Sequence, residues 1–229
     1  MTNKKTIISG LIALAVLGGL VWYGSQRGLS LTEPTASILG DESTGEYFSP
    51  VEEEFILGSP EATVTMIEYS SHFCEFCVDF HSETLSLIME KYIKTGQVKL
   101  IPRRLSPLEL NNALFCAQEQ GKFQQVDEYL FEHNQELVEQ TKKAASEDDL
   151  KVIVADWLKI MAGSLGLNQY NFDQCFDSER YQERAITWFE QADGAEVNGT
   201  PTFFVNDQLI VGNQPYDVFE EIIEQELAQ

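Results

Sequence analysis

Val64-Thr65-Met66-Ile67-Glu68-Tyr69, followed closely by Cys74-Glu75-Phe76-Cys77, is the stretch of sequence that decides the fold. The first run reads as a strand bounded by polar residues. After the cysteines the apolar positions, Phe80, Leu87, Ile88 and Ile93 among them, take on helical periodicity, which predicts a helix running to about Lys94. Gly96 then gives way to Val98-Lys99-Leu100-Ile101, a second strand that Pro102 is expected to stop. Strand, helix, strand is the unit of a parallel pair with a right-handed crossover. The first cysteine falls at the helix N-terminus, where unpaired N–H groups and the helix dipole favour an anion and so a reactive thiolate. A C-x-x-C pair in that position reads as a redox device.

Working outward, residues 107–195 read as nearly all helix, with segments expected over 109–119, 123–140, 147–165 and 178–196 and shorter pieces between. Strand character resumes with Thr202-Phe203-Phe204-Val205, a turn at Asn206-Asp207 and Leu209-Ile210-Val211, a hairpin signal. A last amphipathic helix covers about 216–227. The expected class is α/β: a βαβ half (51–106) and a ββα half (196–229) share one sheet, and a helical insertion (107–195) splits them.

The opposite end of the chain carries Lys4 and Lys5, an apolar run from Ile7 to Tyr23, and Arg27. That length suits a single bilayer crossing, which takes roughly 17 to 25 residues. A cleaved signal peptide is the competing reading, but no A-x-A-like site follows, and Trp22 and Tyr23 suit an interface anchor. Residues 1–27 are therefore expected to be a cytoplasmic start and transmembrane anchor, and 28–50, rich in Gly, Ser, Thr, Pro and acids, a flexible linker. The expected location is the cell membrane, single-pass, with the rest of the chain extracytoplasmic. The net charge of −22 over 229 residues disfavours nucleic acid and anionic lipid surfaces as partners. Outside the cytoplasm disulfides persist, so the four cysteines can be read as two pairs.

Several landmarks together resemble the DsbA-like thiol-disulfide oxidoreductases of the thioredoxin superfamily. They are Leu57-Gly58-Ser59-Pro60-Glu61-Ala62-Thr63-Val64, Glu68-Tyr69-Ser70, the C-x-x-C itself, Arg104 with Pro107-Leu108, Cys116-Ala117 with Gln120-Gly121-Lys122-Phe123, and Gly199-Thr200-Pro201-Thr202-Phe203. The resemblance spans about 57–227 and its landmarks come in the family's order. It implies a thioredoxin-like fold and a Thr200-Pro201 loop folded in cis against the C-x-x-C, whose Thr200 backbone pairs with an extended substrate strand. From the two letters alone, a turn before a strand is the alternative. The resemblance further implies exported or unfolded thiol-containing proteins as substrates, and a membrane partner, quinone-linked, that restores the disulfide.

Within the pair, Cys74 is the expected point of attack and Cys77 the shielded resolving thiol; the cysteines carry the electrons, so no cofactor is required. Half of a zinc site and an inert structural pair compete with this, but there is no second C-x-x-C, and His133 stands apart from His72 and His81. Family oxidants commonly place Pro, often with His or an aromatic residue, where this chain has Glu75 and Phe76. A carboxylate beside Cys74 is expected to raise that thiol and make the disulfide less oxidising. His72, if protonated, would offset Glu75; an exposed bystander is the other possibility. Strand parity with Val64 and Met66 directs Glu68 inward, where it could shuttle the Cys77 proton, unless it is an ordinary solvated residue. Cys116 and Cys175 in the insertion are expected to bridge, leaving the C-x-x-C free to cycle; two separately buried thiols are the alternative. The expected function is disulfide formation in exported proteins. A reductase or isomerase of the same fold, and a redox-silent binding module for unfolded chains, are its rivals.

Overall fold

The computed structural model describes residues 54–229. Its sheet is built from β1 (Val64–Ser70), β2 (Val98–Arg104), β3 (Thr202–Val205) and β4 (Gln208–Val211), in the order β2-β1-β3-β4. β1 and β2 run parallel, with Val64 opposite Val98 and Ser70 opposite Arg104, while β3 is antiparallel to both β1 and β4. Asn206 takes a positive φ of 50° at the β3–β4 turn, and its side-chain oxygen accepts from the Thr65 N–H at 2.9 Å, tying the hairpin to β1.

Between β1 and β2 lies a continuous helix, α1 (75–93), in which Glu75–Asp79 and Leu85–Ile88 have α geometry and Phe80–Thr84 and Met89–Ile93 have π geometry. Its buried stripe, Phe80, Thr84, Ile88 and Tyr92, repeats every fourth residue. A 3.6-residue turn would let that stripe drift by about 40° per step; the wider π turns absorb the drift and keep it on the sheet.

The insertion comprises α2 (Leu108–Gln118), α3 (Phe123–Glu132), α4 (Asn134–Thr141), α5 (Glu147–Ser164), α6 (Gln169–Asp177) and α7 (Gln182–Gly194); α8 (Tyr216–Leu227) closes the chain. Ser146 and Asn168 cap α5 and α6 by accepting from the N–H groups of Asp149 and Asn171 at 3.1 and 3.0 Å.

Both faces of the sheet are covered. Val64 and Met66 pack with Phe80 and Ile88 of α1 and with Phe219 and Ile223 of α8, and the Phe80, Phe203 and Phe219 rings meet at 4.5 to 5.4 Å. Ile67, Tyr69 and Phe204 pack on the other side against Ala192 of α7. The insertion keeps a core of its own around Leu114, Phe115, Leu130, Leu158, Phe172 and Trp188.

The βαβ and ββα halves and the helical insertion are those expected, with two local corrections. Pro102 does not stop β2, which continues to Arg104. Leu100 turns its N–H and C=O outward to Leu57, both at 2.9 Å, so the alternation turns Pro102 outward too, and its missing N–H deprives β1 of nothing. The helix expected over 123–140 breaks at His133, whose φ and ψ are −114° and 15°. The anchor and linker expected over residues 1–50 lie outside the described residues. Among those described, no helix is long and apolar enough to cross a membrane.

Candidate active site

Cys74 is the residue that caps α1, with φ −91° and ψ 118°, and its carbonyl accepts from the N–H groups of Cys77 and Val78, both at 3.0 Å. Strand β1 ends at Ser70, so the loop 71–73 joins it directly to this sulfur. Cys74 is half-buried, whereas one turn on Cys77 is fully buried; both are free thiols. The Cys74 thiol donates to the Thr200 carbonyl at 3.2 Å, across 126 residues of sequence. The Thr200–Pro201 bond is cis, and the loop is held by the Gly212 N–H to the Pro201 carbonyl (2.8 Å) and by the Thr202 hydroxyl to the Gly199 carbonyl (2.7 Å).

The two sulfurs differ in acidity. Burial opposes the Cys74 thiolate, but hydrogen bonding with Thr200, with the Cys77 thiol and with the Cys77 and Phe76 backbone N–H groups outweighs it and lowers the thiol. The Thr200 carbonyl can accept from the thiol but cannot serve the thiolate, so on ionisation Cys74 rests on the Thr200 side chain, the N–H donors and Cys77. Burial pushes the Cys77 thiol up to about 12, and the charge of Glu68 adds to the rise. One sulfur is thus poised to ionise and reachable, the other shielded and protonated.

Beneath them, Glu68 is fully buried. Burial would raise its carboxyl, but Arg104 and His81 override that and bring it down to about 2. The contacts are His81 Nε2 to Oε1 at 2.8 Å and Arg104 Nη1 to Oε2 at 2.9 Å. A carboxylate held so low is a weak base, which favours a fixed charge over the expected proton shuttle. His72 is neither an offsetting cation nor an exposed bystander. It is fully buried, burial lowers its pKa, and its Nε2 and Nδ1 meet Asp127 Oδ1 at 2.9 Å and Ser106 Oγ at 2.8 Å. Both ring nitrogens of His72 and Nε2 of His81 are thus taken up by protein partners.

Glu75 is exposed, where water screens its charge, and the expected rise of the Cys74 thiol gives way to the lowering described above. Phe76 is 62% exposed beside the pair. Cys116 of α2 and Cys175 of α6 form a disulfide, both buried, with their Cα atoms 5.7 Å apart.

Asp127 and Ser106 were not among the expected site residues. Asp127 had a readable signal: Phe123, Val126, Leu130 and Phe131 trace one buried face of α3, and Asp127 falls on it, so a charge stands where only a partner makes burial tolerable. Nothing in the letters around Ser106 marks it.

A four-stranded sheet split by a helical insertion, with a C-x-x-C capping its first helix, defines a thioredoxin-type redox fold. A family model described as thioredoxin matches residues 51–225, and the chain belongs to that family. It is similar to a Rickettsia conorii protein named as a protein-disulfide oxidoreductase, 25% identical over 80% of this chain and 63% of that protein. It also matches disulfide bond formation protein D of Bacillus subtilis, 22% identical over 75% of this chain and 76% of that one. Thus the chain spans less than two thirds of the Rickettsia relative's length. Among solved structures, Wolbachia pipientis α-DsbA1 superposes with a TM-score of 0.66 at 22% identity, covering 81% of this chain and 96% of that one. Bacillus subtilis BdbD superposes at 0.64 and 23%, covering 77% and 94%. At these identities the structural likeness is one of fold.

Proposed function

We propose that this chain is a thiol-disulfide oxidoreductase that forms disulfides in exported, thiol-containing proteins, held at the membrane by residues 1–27 with its thioredoxin domain outside the cytoplasm. The observation that carries the reading is the asymmetry of the two sulfurs: Cys74 half-buried against Thr200, Cys77 buried and protonated. The names of the Rickettsia and Bacillus relatives agree with it.

In the oxidised enzyme a substrate thiolate attacks Cys74 Sγ. The Cys74–Cys77 bond breaks, Cys77 leaves and takes up a proton, and a mixed disulfide forms at Cys74. A second substrate thiolate then attacks the substrate sulfur of that bond and expels Cys74 as a stabilised thiolate. The substrate has lost two electrons and two protons, and the cysteine pair has gained the electrons. No bound cofactor takes part; a quinone-linked membrane partner would reoxidise the pair. The competing step, attack of Cys77 on the mixed disulfide, would release the substrate still reduced. At the mixed disulfide Cys74, its thiol lowered, is a good leaving thiolate, which favours completion of the substrate disulfide, and so oxidation, over reduction or isomerisation.

Measuring the reduction potential tests the direction. A value well above that of thioredoxin, roughly −270 mV, is expected; a value at that level makes the enzyme a reductant and overturns the assignment. Cys74→Ser should abolish oxidation of a reduced test protein, and unchanged activity would mean that some other agent oxidises it.

A further inference from the structure

A buried line of charges and hydrogen bonds runs from the helical insertion to the floor beneath the cysteines, and the exchange steps above make no use of it. His72, two residues before Cys74, is held at four points. Its N–H donates to Ser106 Oγ (3.1 Å), its Nδ1 meets the same hydroxyl (2.8 Å), its Nε2 meets Asp127 (2.9 Å), and its carbonyl accepts from Asn134 Nδ2 (2.7 Å). One assignment satisfies all of these. Ser106 accepts from the backbone and donates to Nδ1, leaving a neutral imidazole that donates from Nε2 to Asp127. Asp127 also accepts from Arg104, from Nε at 2.8 Å and Nη2 at 2.5 Å, and Arg104 reaches on to Ser70 and to Glu68, which in turn holds His81. Asp127 and Asn134 belong to α3 and α4, so the break at His133 lets the insertion grip the loop before Cys74 with two successive helices.

We propose that Asp127 and His72 are positioning residues for the thiol exchange. Asp127, clamped between the His72 imidazole and the Arg104 guanidinium, fixes the loop that presents Cys74 and divides the Arg104 charge between two carboxylates. The insertion is then part of the redox device and not only a cover for it. The inference rests on the exchange reading of Cys74 and Cys77. Neutralising Asp127 leaves the Arg104 charge shared with Glu68 alone, so the site gains positive charge and both sulfurs should ionise more readily. Removing the His72 ring nitrogens breaks two of the four holds on the loop while leaving the charges in place.

The experiment uses the full chain and titrates the Cys74 thiolate by its ultraviolet absorbance, beside the glutathione equilibrium, the exchange rate and thermal stability. In Asp127→Asn the thiolate should titrate at lower pH and the glutathione equilibrium move about threefold towards the reduced protein, half a pK unit's worth. His72→Leu should slow exchange about tenfold through lost orientation. His72→Gln, which keeps a donor near the position of Nε2, should restore most of that rate. Wild-type titration, equilibrium and rate in all three variants, however far stability falls, would overturn the proposal. Should Asp127→Asn fail to fold, the His72 pair decides: equal loss in Leu and Gln counts against it, rescue by Gln for it. A wild-type chain that exchanges no disulfide refutes the exchange reading instead, and the thiolate titration still reports on Asp127.

Discussion

Cys74 and Cys77 are the same chemical group, and their surroundings make them different reagents. Cys74 is drawn below its ordinary value and Cys77 pushed to about 12, so in the reduced native protein an alkylating agent at pH 7 should label Cys74 alone, faster as pH rises through its lowered pKa. Mass spectrometry of the labelled protein checks this; equal labelling of both would contradict it. Glu68 makes the second residue-scale prediction. Its folded value of about 2 lies below the ordinary 4.5, so the unfolded chain binds the proton more readily. Its stabilisation, about 3 kcal/mol, is therefore complete above about pH 4.5 and lost as pH falls through about 2. Glu68→Gln should flatten that part of an acid-unfolding curve. At pH 7 it should cost about 3 to 5 kcal/mol, because Arg104 loses one of its two buried carboxylates. Parity along β1 made the inward direction of Glu68 legible. Its partners were not, because Arg104 and His81 reach it only through the sheet register and the turn of α1.

At the scale of elements, most of the architecture was legible because period and turn chemistry agree with the tertiary packing. β1 alternates between two covered faces, and the Asn206-Asp207 turn matches the hairpin it joins. The misreadings have one cause, dependence on neighbours. Pro102 is tolerated because β2 is an outer strand with its proline facing away from β1, and the break at His133 follows from what Asn134 must reach. The periodicity of α1 could not distinguish a straight helix from one with two π turns. The Cys116–Cys175 bridge joins α2 to α6 across 59 residues, and closing a loop of that length stabilises by about 4 kcal/mol in the chain-entropy model. Replacing both cysteines by Ser should lower the denaturation free energy by about that much while disulfide exchange at Cys74 continues. Loss of exchange in a variant that still folds would give this bridge a part in turnover.

Over the whole molecule, the chain carries a net charge of −22, and the residues flanking the two cysteines in sequence, Phe73, Glu75 and Phe76, are exposed. The apolar rings offer contact that reads little sequence, and the field acts earlier, on encounter. Thiolates are anions, so an acidic chain acting as proposed would repel the reacting form of a thiol substrate unless flanking cations on that substrate reverse the balance. Screening beyond roughly 10 Å is already strong at 0.1 M salt, which makes the effect one of association rate and not of chemistry at the sulfur. Two dithiol peptides of equal thiol acidity, one flanked by Lys and one by Glu, should therefore separate by about tenfold or more in second-order rate at low ionic strength. Added salt should slow the first and speed the second until they converge. Stopped-flow measurement of the two rates against salt checks this directly. Parallel, salt-independent rates would mean that the acidic surface serves solubility alone and leaves substrate choice to the contacts around Cys74.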